Sequence, residues 1–391
     1  MRNLSHSETA AGAGSHGSTV RKPILIVAGT RPEIIKLAPL YHALLESPWA
    51  EVHWLHTGQH DGMATPILGC FDIVPDIVLR RTGGSLQAFA VGCRQQLDLV
   101  MMSRPWSLVI VQGDTESAFL GALAAFYNRV PLAHVEAGLR TYNMDRPFPE
   151  EGLRQMISRI ASFHFAPTLR SHAALLSEGI DDATIHMTGN TVIDAQQWTC
   201  SRHGIQRCVD GRGQLLVTAH RRENWGNDLA EICHAIAEIA AEIPQLRVLF
   251  PVHLNPVVRG PVQAILGGVA NVTLTEPLDY PGMQQALANA WLVLTDSGGL
   301  QEEAPTYGVP VLVLREETER PEAVEAGCAA LVGPTHAAIV RQVRRLWMDA
   351  DAYGRMSRSA NPFGDGTASR QIFDLLEDAL VGSPRLIAQT A

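Results

Sequence analysis

Residues 23–33 read Pro-Ile-Leu-Ile-Val-Ala-Gly-Thr-Arg-Pro-Glu, a continuous apolar run followed by a polar turn that contains a proline. A strand that is apolar at every position is buried on both faces of its sheet, and proline is favoured at the start of a helix. The stretch therefore predicts a strand over residues 23–28, a turn, and an amphipathic helix from about residue 32 to residue 45. This order begins a parallel α/β unit.

The same alternation of apolar strands and helices recurs along the chain in two series. Further strands are predicted at residues 52–57, 108–112 and 132–136 in the first series, and at 214–218, 247–251, 272–275, 292–295 and 311–314 in the second. The fold class predicted is α/β, with two doubly wound Rossmann-like domains. They would face a cleft at the carboxyl ends of both sheets.

The length of 391 residues agrees with two domains. Residues 1–22 are rich in Ser, Gly, Ala and His, and we expect a disordered tail there. The first domain is predicted to cover residues 23–190 and the second residues 191–365. The chain is expected to cross between them within residues 185–210.

The composition excludes several classes of protein. A net charge of −9 argues against a nucleic-acid-binding protein, which needs a basic surface to neutralise phosphates. The six cysteines form no C-x-x-C pair, so we expect reduced thiols, with neither a zinc site nor a disulfide framework. No apolar run reaches the roughly 18 residues that span a bilayer. The N-terminal stretch also lacks the apolar core of a signal peptide, so a cytoplasmic protein without a membrane partner is expected.

One glycine pattern imitates a cofactor-binding motif. Gly12-Ala-Gly-Ser-His-Gly17 matches G-x-G-x-x-G, but it precedes the first predicted strand, whereas dinucleotide binding requires strand, tight turn and helix in that order. The chain also contains no G-x-x-x-x-G-K-[ST] loop. We therefore expect no dinucleotide at this pattern and no nucleotide hydrolysis by a Walker-type loop.

A glycine pair stands where a predicted strand ends and a helix begins, in Thr295-Asp-Ser-Gly-Gly-Leu-Gln-Glu-Glu303. The backbone N–H groups of Ser297, Gly298 and Gly299 would be free at a helix N-terminus, which stabilises a diphosphate. Glu302 or Glu303 would then accept hydrogen bonds from ribose hydroxyls. An ordinary helix start capped by Ser297 is the alternative, but it leaves the two glycines unexplained.

Two strand-end turns supply the positive charge that an anionic ligand needs. Arg31 follows the first strand, and Lys36 lies one turn into the helix after it. His220 follows a strand of the second domain, together with Arg221 and Arg222. Such groups neutralise charge that develops on a departing phosphate. Solvated cations at helix starts are the alternative.

Carboxylates follow two strands and a proline-rich turn of the first domain. Asp114 and Glu136 stand at strand ends, and Glu150 and Glu151 follow Arg146-Pro-Phe-Pro149, with Arg154 one helical turn beyond. Adjacent strand ends bring such acids into one pocket, where they are candidates for general acid/base catalysis. Each acid could instead be a turn residue or a helix cap.

These stretches together resemble the family of non-hydrolysing UDP-N-acetylglucosamine 2-epimerases. The matching blocks extend from about residue 24 to residue 366 and read GTRPEIIKLAPL, TGQH, QGDT, HVEAGLRT, PFPEE, GNTVIDA, TAHRREN, PVHLNP, LTDSGGLQEEAP and TERPEAVEAG. The resemblance implies a glycosyltransferase-like (GT-B) fold whose C-terminal helix, at about residues 366–391, packs back onto the first domain. It also implies a UDP-sugar in the cleft, no cofactor, no metal and a homodimer.

The resemblance further implies a reaction and roles for individual residues. UDP-GlcNAc and UDP-ManNAc would interconvert by elimination of UDP to 2-acetamidoglucal and re-addition of UDP. Asp114, Glu136 and Glu150 are similar to the acid/base carboxylates, and His220 to the group that stabilises the departing UDP. The matching substrate-binding residues are Arg31, Lys36, Arg154, Ser297, Gly298, Gly299, Glu303 and Arg320. Which carboxylate serves which face of the sugar stays open.

The chain departs from the family pattern at two places. Gln59 and His60 match an allosteric site for a second UDP-GlcNAc, but Asp61-Gly-Met63 follows where many bacterial members have Arg-Glu-Met, which weakens the expectation of allosteric control. Leu153 stands where many members have Asn, so a different sugar stays open. The alternatives are a hydrolysing epimerase, an epimerase of a UDP-linked diacetamido uronic acid, a glycosyltransferase and a catalytically silent UDP-sugar sensor.

Overall fold

The computed structural model describes residues 21–207, 213–221 and 224–382, apart from the side chains of Asp61 and Met63. The predicted tail up to residue 20, the glycine pattern at residues 12–17 and Arg222 lie outside these residues. The most C-terminal residues, 383–391, also lie outside them.

The first sheet contains seven parallel strands: β1 (Lys22–Ala28), β2 (Ala50–His56), β3 (Ile77–Val78), β4 (Leu108–Gln112), β5 (Leu132–Val135), β6 (Phe163–Ala166) and β7 (Ile185–Met187). Their order across the sheet is β3-β2-β1-β4-β5-β6-β7. The sheet begins near the centre with β1, and the chain then winds outwards in both directions.

The second sheet contains six parallel strands: β8 (Gln214–Thr218), β9 (Arg247–Pro251), β10 (Val272–Thr275), β11 (Leu292–Thr295), β12 (Val311–Val313) and β13 (Ala329–Leu331). Their order is β10-β9-β8-β11-β12-β13. The order reverses next to β8 in this sheet, as it does next to β1 in the first. Such reversal points are where open α/β sheets bind ligands.

The helices that cover the sheets are α1 (Arg31–Leu45), α2 (Asp61–Cys70), α3 (Leu86–Met102), α4 (Glu116–Tyr127), α5 (Glu150–Ile160), α6 (Leu169–Ser177), α7 (Thr191–His203), α8 (Asn227–Glu242), α9 (Pro256–Leu266), α10 (Tyr280–Asn289), α11 (Gly298–Glu303), α12 (Pro321–Glu325), α13 (His336–Met348), α14 (Ala350–Ser357) and α15 (Ala368–Leu380). Within the described ranges, no helix combines the length and apolar character needed to cross a membrane.

The β1 strand shows why helices cover both faces of the sheet. Ile24, Ile26 and Ala28 join an apolar cluster that includes the buried side of α1, whereas Leu25 and Val27 join a second cluster with α3 and α4. Successive side chains of a strand point to opposite faces, so an uninterrupted apolar run needs a core on each side. The predicted fold class, with two doubly wound α/β domains, is confirmed.

The ends of some strands differ from the predicted ones. β5 ends at Val135, one residue before the predicted end, because Glu136 has a φ of 63°, which is outside the strand conformation. β1 begins at Lys22, whose N–H donates to the carbonyl of Trp49 at 2.7 Å. Four short strands, β3, β6, β7 and β13, were not predicted. Each has only two to four residues, and Ile-His-Met of β7, for example, is too brief and too polar to be recognised as a strand.

The connection between the two sheets is more regular than the sequence indicated. Of the predicted crossing at residues 185–210, the first three residues pair with β6 as β7, and α7 occupies residues 191–203. The Asn190 side chain caps α7 by accepting from Val192 N at 3.0 Å, and the Asn190 N–H donates to Phe363 O at 2.7 Å. α7 packs against α1 of the first domain and against α10 and α11 of the second.

The last described helix returns to the first domain. The apolar side of α15 contains Ile372, Phe373 and Leu376, which lie in the same buried cluster as α1. The rings of Phe373 and Trp49 are 5.6 Å apart. The chain therefore passes from the first sheet to the second and back again, so that both ends of the described fold contribute to one core.

Candidate active site

The predicted site residues lie in turns that follow strands of both sheets. Because parallel strands end at the same edge, the turns after β1, β4 and β5 lie together, and so do the turns after β8 and β11. The two edges meet directly, since Lys36 Nζ of α1 lies 3.2 Å from Glu302 Oε2 of α11. The predicted residues therefore surround one cleft between the sheets.

Four buried charges join the two domains across this cleft. Lys36 Nζ lies 2.5 Å from Glu136 Oε1 and also contacts Glu302, and Arg320 pairs with Glu302 through its Nε. The Arg320 Nη2 atom lies 3.7 Å from Glu136 Oε1. Two cations and two carboxylates thus form a neutral cluster, which is required because an unpaired buried charge costs several kcal/mol. We call Lys36, Glu136, Glu302 and Arg320 the interdomain ion cluster.

Glu136 is held in one position by contacts with several groups. Beyond the ion cluster, its carboxylate accepts hydrogen bonds from the side-chain amides of Gln112 and of Asn190, the latter at 3.2 Å. Burial by itself would raise the pKa of Glu136, but the charges of Lys36 and Arg320 outweigh burial and hold the pKa below its ordinary value. Glu136 is therefore ionised and preorganised.

The pKa of Asp114 is shifted in the opposite direction from that of Glu136, within the same site. Its Oδ2 atom pairs with Arg154 Nη2 at 2.8 Å, yet burial raises the pKa of Asp114 to about 6. The negative charges of Glu136 and Glu150 add to this rise, and Arg154 opposes it. Two neighbouring carboxyl groups with pKa values moved apart are suited to separate roles as proton donor and proton acceptor.

The structure separates the two acids that open α5. Glu151 is fully buried, and its carboxylate accepts from the backbone N–H groups of Thr141 and Tyr142, each at 3.0 Å. It therefore anchors the loop before the helix. Glu150 is only half-buried and lines a cavity with Asp114, which leaves Glu150 as the acid available to a ligand.

This cavity has a volume of about 200 Å³ and also contains the predicted allosteric pair. Its lining residues are Thr30, Pro32, Gln59, His60, Leu86, Asp114, Thr115, Glu116, Pro149, Glu150 and Leu153. Gln59 Oε1 accepts from Ser117 N at 3.0 Å and from Ser117 Oγ at 2.6 Å. Burial lowers the pKa of His60, so its ring is neutral at physiological pH. Ser117 therefore holds the Gln59 side chain, and both residues of the pair line the same cavity as Asp114 and Glu150.

His220 lies in the turn after β8, at the edge of the second sheet. Its backbone N–H donates to Asp296 Oδ2 at 2.8 Å, and its ring stacks on His253 with centroids 6.3 Å apart. Burial lowers the pKa of His220, with Arg221, His253 and Arg31 adding to the effect and Asp296 opposing it. The ring is 43% exposed, so it faces the cleft and is accessible to a ligand.

The glycine turn before α11 faces two guanidinium groups. A Cβ atom added to Gly298 would lie 3.9 Å from Arg221 Nη2 and 4.0 Å from Arg320 Nη2. Ser297 is the N-cap residue, but its side chain makes no capping hydrogen bond. The Ser297 N–H donates to Thr295 Oγ1 at 2.9 Å, so the prediction that it is free is wrong. The N–H groups of Gly298 and Gly299, in the first turn of α11 and beside two cations, still form a suitable environment for an anion.

Glu303 of the second domain is influenced electrostatically by Arg31 of the first. Glu303 is buried, and its Oε1 accepts from the Tyr280 hydroxyl at 3.2 Å. Burial raises the pKa of Glu303 to about 7, the charge of Glu302 adds to the rise, and Arg31 lowers it. Since Arg31 acts on both His220 and Glu303, this first-domain residue lies near the second-domain part of the site.

Three site residues were not singled out from the sequence: Gln112 and Asn190, which fix Glu136, and Asp296, which holds the His220 turn. All three stand inside sequence blocks that were recognised, so their position in those blocks was a usable signal. Glu302, which was named as a possible ribose contact, pairs with Lys36 and Arg320 in the ion cluster instead. Among the residues that the structure describes, no group of three or more His, Cys, Asp or Glu side chains could hold a metal ion.

Comparison with protein families gives a match over most of the chain. The model of the family described as UDP-N-acetylglucosamine 2-epimerase matches residues 42–377. The UDP-N-acetylglucosamine 2-epimerase of Escherichia coli (strain K12) is 44% identical over 371 residues, which is 91% of this chain and 98% of that protein. The enzyme of the same name from Campylobacter jejuni is 41% identical over 372 residues, covering 91% of this chain and 97% of that protein.

Solved structures agree with this match. The UDP-GlcNAc 2-epimerase from Neisseria meningitidis, bound to UDP-GlcNAc, has a TM-score of 0.85 and 40% identity, covering 90% of this chain and 99% of its own. The Methanocaldococcus jannaschii UDP-GlcNAc 2-epimerase, in complex with UDP-GlcNAc and UDP, has a TM-score of 0.75 and 32% identity, covering 91% and 99%. The glycosyltransferase of kitacinnamycin has a TM-score of 0.64 at 13% identity, covering 92% and 99%, and it shares the fold.

Proposed function

This chain belongs to the UDP-N-acetylglucosamine 2-epimerase family, and we propose that it interconverts UDP-GlcNAc and UDP-ManNAc. The C2 hydrogen of the sugar is not next to a carbonyl group, so its direct removal and return is too unfavourable. Loss of the C2 proton together with departure of UDP from C1 instead forms the C1–C2 double bond of 2-acetamidoglucal. Return of the UDP oxygen to C1 and of a proton to the opposite face of C2 gives the epimer.

The observation that supports this reaction best is the contrast between Glu136 and Asp114. Glu136 is kept ionised by Lys36 and Arg320, whereas Asp114, on the neighbouring strand end, has a pKa of about 6. Elimination and re-addition need a proton acceptor and a proton donor near the same ring. Glu150 is the third acid/base group of the proposal, because it faces the same cavity as Asp114.

The second domain is proposed to hold UDP when it leaves C1. His220, together with Arg31 from the first domain, would neutralise charge on the departing diphosphate, next to the backbone N–H groups of Gly298 and Gly299. The proposed substrate-binding residues are Arg31, Lys36, Arg154, Ser297, Gly298, Gly299, Glu303 and Arg320.

The first proposed domain consists of residues 23–190 together with the C-terminal helix, and the second consists of residues 191–365.

Gln59 and His60 are proposed to face a second, activating UDP-GlcNAc molecule, if the chain retains activation. The position of the pair beside Asp114 supports this site. Rates measured with UDP-ManNAc alone decide the question. A lag that added UDP-GlcNAc abolishes indicates activation, whereas constant rates from the first turnover indicate that the arginine missing after His60 has removed it.

The homodimer is proposed to form through α3 and α4. The side chains of Val91, Leu99, Met102, Phe126 and Tyr127 on these helices are each more than half exposed. Such an exposed apolar surface is typical of a protein interface. Sedimentation velocity tests this interface: wild type should sediment as a dimer, and a Leu99→Glu/Met102→Glu variant as a monomer.

The proposed location is the cytoplasm, supported by the five cysteines that the structure describes, none of which forms a disulfide.

Proton NMR of UDP-GlcNAc incubated with the protein in D₂O tests the proposed activity. Appearance of UDP-ManNAc with deuterium at C2 is the expected result. Free ManNAc together with stoichiometric UDP would instead indicate a hydrolysing enzyme. Binding of UDP-GlcNAc without any change to it would favour a sensor or a different sugar, such as the diacetamido uronic acid, and would contradict the proposal.

A further inference from the structure

Asp296 organises the turn that contains His220. It follows β11 directly and is fully buried, and its Oδ2 atom accepts three hydrogen bonds. The donors are the backbone N–H groups of His220 and Arg221, both at 2.8 Å, and the side-chain amide of Asn224 at 3.1 Å. One carboxylate oxygen thus fixes the path of a turn from a different strand.

The other oxygen of Asp296 faces the histidine ring. Oδ1 lies 3.2 Å from His220 Nδ1, and it receives no aligned hydrogen bond within the part of the chain that the structure describes. A buried carboxylate oxygen without a donor is unfavourable, so it favours a proton on the nearest nitrogen. That nitrogen is Nδ1, which leaves Nε2 available for a ligand.

We infer that Asp296 is a positioning residue for His220, because it holds the ring through Nδ1 and thereby reserves Nε2 for the diphosphate. The inference rests on the proposed role of His220 at the departing UDP. A carboxylate that orients an imidazole and stabilises its protonated form is a recurrent arrangement in enzymes. The inferred role differs from a purely structural one, because the charge of Asp296 stabilises the protonated ring in addition to the hydrogen bonds that fix the turn.

The charges around His220 determine how its titration responds to a change at Asp296. Arg31, Arg221 and His253 face the ring as positive or titratable groups, and Asp296 is the opposing negative charge. Asp296→Asn keeps one side-chain oxygen, which can accept from the N–H groups of the turn, but removes this charge. The pKa of His220 should then fall, because the negative charge that favours the protonated ring is gone.

The test compares pH–rate profiles of wild type, Asp296→Asn, His220→Asn and the double variant. If protonated His220 assists departure of UDP, activity declines as pH rises through its pKa, and Asp296→Asn moves this decline to lower pH. We expect the double variant to be no slower than His220→Asn, because the two residues act as one unit. Asn224→Ala is the matched control: it removes another contact of the same carboxylate and should leave the decline at the wild-type pH.

Each outcome separates the inference from the proposed function. Full activity of His220→Asn would remove the proposed role of His220. Two results would overturn the role of Asp296 alone, provided that His220→Asn is slow. One is a loss of rate in the double variant equal to the product of the two single losses. The other is a decline of the Asp296→Asn rate at the same pH as in wild type. If Asp296→Asn does not fold, the ¹H–¹⁵N NMR spectrum of wild-type His220, assigned by difference with His220→Asn, decides. A neutral ring protonated at Nδ1 is expected, and a proton on Nε2 overturns the inference.

Discussion

The two edges that meet in the cleft carry groups of opposite charge. The first-sheet edge presents the carboxyl groups of Asp114, Glu136 and Glu150, and the second-sheet edge presents His220 and the guanidinium of Arg221 beside an open helix start. Carboxyl groups transfer protons, whereas cations and N–H groups hold phosphates. The difference supports the proposed division of labour, in which proton transfer takes place on one side of the cleft and UDP is held on the other.

The interdomain ion cluster is the exception to this division. Lys36 brings a positive charge from the first domain to Glu302 of the second, and Arg320 brings one from the second domain to Glu136 of the first. Each domain therefore neutralises an acid of the other. The two halves depend on each other electrostatically, and contact between them completes the environment that keeps Glu136 ionised.

Glu136→Gln should have the largest effect on turnover. The amide cannot accept the proton, so kcat should fall by about 10²–10⁴-fold, the usual contribution of a positioned acid or base. Affinity for UDP, measured by calorimetry, should change little if the second domain holds UDP as proposed. The exposed Glu46→Gln variant is the control. A large loss of UDP affinity in Glu136→Gln would contradict the proposed separation between proton transfer on the first-sheet edge and UDP binding on the second.

Lys36→Met should have the largest effect on stability. It leaves the carboxylates of Glu136 and Glu302 buried with only Arg320 as counter-charge, and breaking such a buried pair costs about 3–5 kcal/mol. Denaturant unfolding measures this loss, and Lys22→Met at the edge of β1 is the matched control. The double variant Lys36→Met/Glu302→Gln should regain part of the stability, since it restores charge balance. No recovery would argue against electrostatic coupling of the domains.

Glu33→Gln should change how stability depends on pH. Glu33 accepts from the N–H groups of Gly29 and Thr30 at the first-sheet edge, and burial raises its pKa from 4.5 to about 7. Between these values the folded protein keeps a proton that the unfolded chain has lost, so this carboxyl destabilises the fold as pH rises.

The free energy of unfolding of Glu33→Gln, relative to wild type, should therefore increase by about 3 kcal/mol from about pH 4 to about pH 8. Denaturant melts across this range measure the difference, with Glu46→Gln as a flat control. An equal pH dependence in wild type and Glu33→Gln would mean that Glu33 is ionised in the folded protein at neutral pH.

Tyr280→Phe should give the smallest effect of these variants. It should weaken substrate binding and leave proton transfer unchanged. It removes the hydroxyl that donates to Glu303 at 3.2 Å, a loss of about 1 kcal/mol. KM for UDP-GlcNAc should rise by about fivefold with kcat unchanged. Tyr127→Phe is the control: it removes a hydroxyl outside the cleft and keeps the ring that the proposed dimer surface uses, so its KM and kcat should match those of wild type. A decrease in kcat at constant KM would place Glu303 among the groups that act on proton transfer.

The sequence predicted much of this arrangement because the relevant signals are local. Apolar runs such as residues 23–28 specify buried strands, and the predicted family and fold class are confirmed by the comparisons. The sequence did not predict contacts between residues that are far apart along the chain. Lys36 and Glu136 are 100 residues apart, and no local pattern marks them as a pair. The choice between Glu302 and Glu303 also needed the structure, since adjacent positions on a helix point in directions about 100° apart.

The most direct test of the proposed reaction offers the protein the proposed intermediate instead of a nucleotide sugar. 2-Acetamidoglucal and UDP are incubated with the protein in D₂O and followed by NMR. We expect UDP-GlcNAc and UDP-ManNAc both to form, each with deuterium at C2, and Glu136→Gln to form neither at a comparable rate. Failure of the wild-type protein to add UDP to 2-acetamidoglucal, while it still epimerises UDP-GlcNAc, would contradict elimination and re-addition across this cleft.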